Sequence, residues 1–456
     1  MIFAGVLAVV LGISVGYDRL RPRTKQGGGS EFVSVALLLA IVRSLAHSPS
    51  QAALIGALFG LGYAGWMLSK LLLPIPVSAA LLLSQLLVWT VFILGSWRLL
   101  GLPFPLNVAA IACLGTSLFW LEWTLLPLWG TAQNFACSSP KSPAFISLFG
   151  TAGGVWATLC YSGLYAHVIP PLGQSVPTSF FIQLLLWGAG FFVLLRALDA
   201  LAAIGKPQTL RVATLGWAGT QFDALSHLPN EYQSAARQAS ENGARLLVTP
   251  EAAIHVQDRA HFRVAICTLA QRYNLALAIG YFDHKQNRNC IDLVTAQGEV
   301  VGRYVKTHLV PVFERYTRGN GEIALMEVDG IKVGGLICQD DNFPDVARKY
   351  GKAGTQLLVV PTNDWKKIKD IHFANHLWRA LECRYALARA ASEGISALTS
   401  ADGKVEKFSD HFKDGTKLLI ADLRVGSGRP TLYAQSGDIF PIVCAVAALC
   451  GLFGAR

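Results

Sequence analysis

Charge is what this chain most lacks. Only 15% of its 456 residues are Asp, Glu, Lys or Arg, against about 25% in ordinary soluble proteins. The deficit is uneven: residues 1–205 carry few charges, whereas 206–437 have the make-up of a soluble domain. Two domains follow from the length and this shift. Cysteine pairing is missing as well. The nine cysteines contain no CxxC and no paired spacing, so no disulfide framework is legible. Five of them (Cys113, Cys137, Cys160, Cys444 and Cys450) lie in or beside apolar runs, where cysteine serves as a small buried hydrophobe. No zinc finger, basic helix or aromatic-interleaved basic stripe accompanies the net charge of +10, and nucleic acid is not an expected partner. Lys and Arg beside membrane spans, facing anionic head groups, account for that charge.

Long apolar runs, by contrast, are abundant. A helix crossing a bilayer needs about 20 mostly apolar residues. Seven candidates precede the soluble part: Met1–Tyr17, Phe32–His47, Ala52–Leu73, Pro76–Leu100, Leu106–Leu126, Pro143–His167 and Thr178–Ala203. An eighth, Ile439–Phe453, follows it. The expected organisation is a membrane domain over 1–205, a soluble domain over 206–437 and a terminal membrane helix over 438–456. Met1–Tyr17 is read as a span rather than a signal peptide, since no positive start and no small-residue cleavage site frame it. The loop Asp18–Glu31 carries Arg19, Arg21, Arg23 and Lys25, which the positive-inside rule assigns to the cytoplasm; seven spans would then put the soluble domain there too. Glu122 lies inside Leu118-Phe119-Trp120-Leu121-Glu122-Trp123. It either faces a cavity or partner, or marks an early end to its span.

The soluble part alternates strands and helices. Strands are predicted at Leu210–Trp217, Arg245–Thr249, Leu275–Gly280, Lys332–Ile337, Gln356–Val360, Ile395–Thr399 and Lys417–Ala421. Ile291–Thr295 and Val300–Tyr304 flank Gln297-Gly298 as a hairpin. Helices are predicted at Asn230–Asn242, Asp258–Tyr273, Pro344–Tyr350 and Ala374–Ala391. This order implies a layered α/β domain. Glu251 and Cys338 each fall just past a strand, where active-site residues of such folds gather.

A thiol, a base and a cation are what acyl transfer through a thioester requires. Cys338 would be the nucleophile, Glu251 the base, and Lys306 the cation that steadies thiolate and oxyanion. Glu314 would hold Lys306 and orient substrate. Asp340 would shape the turn behind the thiol. Taken singly, each has a plainer reading as a core cysteine, a helix-start acid or a surface lysine. His308, His372 and His376 lack metal-ligand spacing and are read as structural. No metal or organic cofactor is expected.

These segments resemble the nitrilase (carbon–nitrogen hydrolase) superfamily, and most of all its membrane branch, apolipoprotein N-acyltransferase. Pro250-Glu251-Ala252, Arg303-Tyr304-Val305-Lys306-Thr307-His308-Leu309-Val310-Pro311 and Ile337-Cys338-Gln339-Asp340 resemble its glutamate, lysine and nucleophile motifs, and Glu314 its second glutamate. Asn363-Asp364-Trp365, Arg379-Ala380-Leu381-Glu382, Glu393-Gly394-Ile395-Ser396 and Thr431-Leu432-Tyr433-Ala434-Gln435-Ser436-Gly437-Asp438 fall where further family blocks are expected. The resemblance implies a multi-span helical membrane domain joined to an α-β-β-α sandwich. It also implies a Cys338 thioester, a membrane phospholipid as acyl donor, an amine or lipoprotein acceptor, and the bacterial inner membrane as location, with the catalytic domain extracytoplasmic. That orientation conflicts with the basic loop Asp18–Glu31. The chain departs from the pattern at Gln339, at Asp340 and in the short stretch from Glu314 to Cys338. The Arg and Phe-Pro-Trp pattern usual after the membrane glutamate is missing beyond Glu122. Shortened members of this kind resemble the TraB proteins of plasmid conjugal transfer. The expected function is membrane N-acyl transfer; the alternatives are a membrane-tethered amidase and a catalytically idle subunit of a conjugation apparatus.

Overall fold

The structure is a computed structural model. It describes residues 1–19, 30–71, 73–128, 130–133, 143–169, scattered positions between 178 and 197, then 208–217, 222–223 and 228–455. Two compact units result: Met1–Ala203 with Ser436–Arg456, and Ile204–Gln435.

The first unit is helical: α1 (Ile2–Arg19), α2 (Ser30–Leu45), α3 (Pro49–Leu71), α4 (Ile75–Leu99), α5 (Leu106–Leu125), α6 (Pro143–Val168) and a terminal helix, Ile439–Gly454. Among the described residues, Pro49–Leu71, Ile75–Leu99, Leu106–Leu125 and Phe145–His167 are long and apolar enough to cross a membrane; Ile2–Tyr17 and Ile439–Gly454 are apolar but shorter. Most of the expected span Thr178–Ala203, and residues 20–29 of the basic loop, lie outside the described residues. Glycine lets α1 and α3 approach closely. A Cβ on Gly12 would sit 2.2 Å from the Phe59 carbonyl oxygen, and one on Gly62 2.3 Å from that of Val9. Small residues make such backbone contact between apolar helices feasible.

Glu122 on α5 resolves in favour of a partner. It is buried, and its Oε1 accepts from Gln85 Nε2 at 2.6 Å and Ser84 Oγ at 2.9 Å, both on α4. Trp89 Nε1 in turn donates to Gln85 Oε1 at 3.2 Å. The carboxylate therefore ties two helices together by hydrogen bonds whose loss inside an apolar bundle is costly.

The second unit is an α-β-β-α sandwich. One sheet runs β14 (Lys417–Arg424), β1 (Thr209–Gly216), β3 (Leu246–Val248), β5 (Ala276–Asp283), β4 (Ile254–Val256), β2 (Phe222–Asp223), with β6 (Arg288–Val294) and β7 (Val300–Val305) continuing from β5. The other runs β13 (Val405–Asp410), β12 (Ile395–Thr399), β11 (Ala386–Ala391), β10 (Leu357–Thr362), β9 (Ile331–Gly335), β8 (Leu325–Val328). Alternation along the strands builds two cores. Val212, Ala276 and Ala278 face the second sheet, against Val333, Leu358 and Ala388. Ala213, Leu277 and Ile279 point outward onto α7 (Asn230–Glu241) and α8 (Arg259–Tyr273), through Tyr232, Ala236, Phe262 and Ile266. Asp258 caps α8 by accepting from the Ala260 and His261 amides. On the far side, α9 (Pro344–Lys352) and α10 (Lys369–Cys383) lean on the second sheet.

The helix expected over Ala374–Ala391 is corrected. It ends at Cys383, Arg384 turns left-handed at φ 54°, and residues 386–391 form the buried strand β11, parallel to β10. The stretch Ala-Leu-Ala-Arg-Ala-Ala has strong helix propensity. Its place between β10 and β12, with every residue buried, overrides that preference.

Candidate active site

Three strand ends and the turn that carries Glu314 supply the site. Glu251 lies three residues past β3, in a turn fastened to β5: the Thr249 amide donates to the Ala278 carbonyl (3.0 Å), and the Gly280 amide to Thr249 Oγ1 (3.1 Å). The fit is tight, since a Cβ on Gly280 would come within 2.2 Å of the Pro250 carbonyl oxygen and 3.2 Å of Glu251 Cα. Lys306 is the first residue past β7, and its amide donates to the Asn289 carbonyl on β6 at 2.9 Å. Glu314 closes a turn of its own: its amide donates to the Val310 carbonyl (3.0 Å), and its Oε2 accepts from the Val310 amide (2.8 Å). Cys338 opens a short 3-10 turn, Cys338–Asn342, beyond β9, with a left-handed φ of 45°. A non-glycine residue held there carries strain of roughly 1–3 kcal/mol, a feature that clusters at functional sites.

The side chains meet. Lys306 Nζ donates to Glu251 Oε1 and to Glu314 Oε1, each at 2.7 Å. Asn289 Nδ2 adds a third tie, to Glu251 Oε1 at 2.7 Å. Glu251 Oε2 is buried without a hydrogen-bond partner, leaving an acceptor open. Exposure is 1% at Lys306, 3% at Glu251 and 4% at Cys338, so these charges act in a medium that screens poorly. Burial works against charge on Lys306, yet Glu251, Cys338 and Glu314 outweigh it and hold the amine well above its ordinary pKa. Burial raises Glu314 above the usual carboxylate range, against the pull of Lys306. Burial likewise pushes the Cys338 thiol well up; Glu251 adds to this and Lys306 opposes it. The sulfur is not sealed in hydrocarbon: it lies 3.7 Å from the Asn363 carbonyl oxygen and feels all four neighbouring charges, Glu251, Lys306, Asp364 and Glu314.

Asp340 anchors the turn, as its position suggested. It accepts from Tyr304 Oη (2.8 Å) and from the backbone amides of His308 (2.7 Å), Thr307 (3.2 Å) and Ile337 (3.3 Å). The lysine and nucleophile segments are thereby locked to one carboxylate. His308 stands between Asp340 and Asp345, at 3.0 and 3.2 Å, with its ring stacked on Phe343. Burial opposes its charge, but the two carboxylates lift its pKa to about 9. A histidine raised above its unfolded value stabilises fully below about pH 6.5, and that contribution is lost as pH rises through about 9. Its ceiling is about 3 kcal/mol. In melts of detergent-solubilised protein, the stability gap between wild type and His308→Phe should therefore be wide at pH 6 and should close by pH 10. An unchanged gap would rule out the ion pairs as its source.

Two contributors, Asn289 and His372, carried no sequence signal as part of this site, and a third, Asp364, stood in the Asn363-Asp364-Trp365 block with no role attached. Asn289 sits mid-hairpin with no motif around it. Asp364 and His372 are eight residues apart, on a loop and on α10, where no helical or strand repeat links them; His372 Nδ1 is 2.5 Å from Asp364 Oδ1. A His372 ring nitrogen, an Asp364 oxygen and the Cys338 sulfur lie within 4.8 Å of one another, the one grouping among the described residues with the make-up to hold a metal ion. Both ring nitrogens are already engaged, by Asp364 and by the Cys338 carbonyl oxygen, so a metal would have to break one of those bonds.

A two-sheet α/β sandwich carrying a Glu–Lys–Glu cluster and a cysteine at its strand ends defines a class. Residues 211–433 match the carbon-nitrogen hydrolase family, so the second unit is a domain of this nitrilase superfamily, in a chain whose described residues also include four helices long and apolar enough to cross a membrane. Its similarity points further, to apolipoprotein N-acyltransferases. It is 29% identical to that of Geobacter metallireducens over 48% of this chain and 47% of the relative. It is 24% identical to that of Nostoc sp. over 70% of this chain and 69% of the relative. The match to the Geobacter protein thus spans about half of that relative's length. Among solved structures, a mutant of the amidase from Nesterenkonia sp. AN1 superposes with a TM-score of 0.42 at 23% identity, covering 50% of this chain and 96% of the amidase.

Proposed function

We propose that the chain is an N-acyltransferase of the bacterial inner membrane, working through a thioester on Cys338. The observation that carries the reading is the largely buried Glu251–Lys306–Glu314 cluster beside a strand-end cysteine, in a chain whose described residues include four helices long and apolar enough to cross a membrane. Similarity to apolipoprotein N-acyltransferases supports a phospholipid donor and a lipoprotein or other amine acceptor.

In this mechanism Glu251 takes the thiol proton on its open Oε2 as the sulfur attacks the ester carbonyl. Lys306 has three N–H donors, two of them committed to Glu251 and Glu314, and the third steadies the oxyanion. Collapse of the tetrahedral adduct expels the alcohol, which takes the proton back from Glu251. An amine then attacks the thioester; Glu251 accepts its proton and returns it to the sulfur, leaving amide and free thiol. Burial and the Glu251 charge hold the thiol protonated at rest, so proton removal and attack must occur together.

One observation favours a second reading, a membrane-tethered amidase in which water resolves the thioester. Between Glu314 and Cys338 the chain holds only a loop and the β8–β9 hairpin, with no segment long enough to cover a lipid. The same shortness is what suggests a place in plasmid conjugal transfer. Incubating solubilised protein with acyl-labelled phospholipid and digesting it separates the readings. Label on the Cys338 peptide, discharged by an amine acceptor, is the expected result. Absence of label, together with ammonia release from small amides, would favour the amidase.

A further inference from the structure

Behind Cys338 lies a second set of buried charges that the thioester mechanism does not use. Asp364, His372, Arg389, Asp341 and His376 are all buried. Asp364 Oδ1 faces His372 Nδ1 at 2.5 Å, and its Oδ2 accepts from Arg389 Nη2 at 2.7 Å. The other ring nitrogen of His372, Nε2, lies 3.0 Å from the carbonyl oxygen of Cys338 itself. Asp341 pairs with His376 at 2.9 Å and with Arg389 at 3.4 Å.

The protons on His372 follow from its partners. A carbonyl oxygen only accepts, so Nε2 carries hydrogen. Burial works against charge on Asp364, but His372 and Arg389 outweigh it and keep its carboxyl below the usual range. A carboxylate also only accepts, so Nδ1 carries hydrogen too. Arg389 Nη2 approaches Nδ1 to 3.2 Å, but the Asp364 contact is the shorter and takes the proton. Each ring nitrogen of His372 thus faces an acceptor, Asp364 Oδ1 and the Cys338 carbonyl oxygen, and both Asp364 and His372 have an atom within 4.8 Å of the Cys338 sulfur.

We propose that His372 is a positioning residue for Cys338, with two tasks: its Nε2–H tethers the carbonyl of the left-handed nucleophile, and its charge cancels that of Asp364 beside the sulfur. The inference rests on Cys338 being the nucleophile. Without His372, Asp364 would keep Arg389 as its cationic partner but lose the one that faces Oδ1, and a thiolate would form next to a less fully compensated carboxylate, where like charges oppose one another. The charged groups around the sulfur are then Glu251, Lys306, Glu314 and Asp364; those around His372 are Asp364, Arg389, Asp341 and His376.

The test reads the thiol without requiring turnover. The rate of Cys338 alkylation by iodoacetamide is followed against pH by peptide mass spectrometry in the solubilised full chain. His372→Gln keeps an N–H able to reach the carbonyl but removes the charge. Its alkylation midpoint should rise by about one pH unit, making the reaction about tenfold slower below the midpoint. The double variant Asp364→Asn/His372→Gln removes both charges and should return the midpoint toward wild type. A merely structural role predicts no such rescue. A folded His372→Gln protein whose profile superimposes on wild type overturns the proposal, as does a double variant no faster than the single. Where His372→Gln does not fold, His372→Asn is compared with its own Asp364→Asn double on the same terms. Failure of the acyl-transfer reading appears separately, as absence of phospholipid label on a Cys338 that still alkylates with this profile.

Discussion

Cys338→Ala is expected to abolish acyl-enzyme formation and to lower turnover by about 10⁴-fold or more, the scale on which removing a covalent nucleophile acts. No other described thiol of its unit is placed to replace it. Among the described residues, Cys290 and Cys383 of the same unit are buried and lack a lysine–carboxylate cluster, and Cys267 lies on the helical outer layer. The loss should come with little change in folding, because alanine inherits the same left-handed backbone and gives up one sulfur in a half-polar setting. Intact mass after donor incubation, read beside a melting curve, checks both halves. Turnover retained within tenfold in a folded Cys338→Ala protein would remove the thioester from the reaction.

Lys306→Met has the second-largest expected effect, and it falls on stability as well as chemistry. Lys306 is the shared cation of Glu251 and Glu314, all three largely withdrawn from water. Methionine fills most of the volume and leaves both carboxylates facing each other. Breaking a buried ion pair from one side costs about 3–5 kcal/mol, and loss of an oxyanion donor costs about 10²–10³ in rate. The pH dependence has a definite sign. Unpaired buried carboxylates titrate above their unfolded values, so the variant is steadiest at low pH, where both are protonated, and weakens as pH rises through the raised values. Denaturation of Lys306→Met at pH 5 and pH 8 should show a gap to wild type that widens with pH. A gap independent of pH would mean that the carboxylates find other partners.

Much of the sandwich was legible because its strands and helices are locally consistent. The helix expected at Asn230–Asn242 is α7, and the hairpin around Gln297-Gly298 joins β6 to β7. Prediction went wrong where local preference opposed context, at the alanine-rich β11. Glu251, Lys306 and Cys338 stood out because each sits just past a strand within a recognisable segment, and Glu314 because it follows the lysine segment closely. Asn289 and His372 did not, and Asp364 stood in a recognised block without a legible role, since what binds them to the site is pairing across distant parts of the chain. The Asp364–Arg389 contact joins residues 25 apart on neighbouring strands and loops. Nothing in a one-dimensional pattern marks two such residues as partners.

The contact at Gly280 bears on how this enzyme can diversify. The floor beneath Glu251 has no room for even a methyl group, so β5 cannot contribute a side chain that would reshape the pocket from below. A change in substrate preference is better sought in the loop that carries Glu314, where Val312 and Phe313 are exposed and Trp365 packs against the latter with ring centroids 5.6 Å apart. Libraries aimed at altered selectivity would do best to vary that loop and leave the sheet untouched.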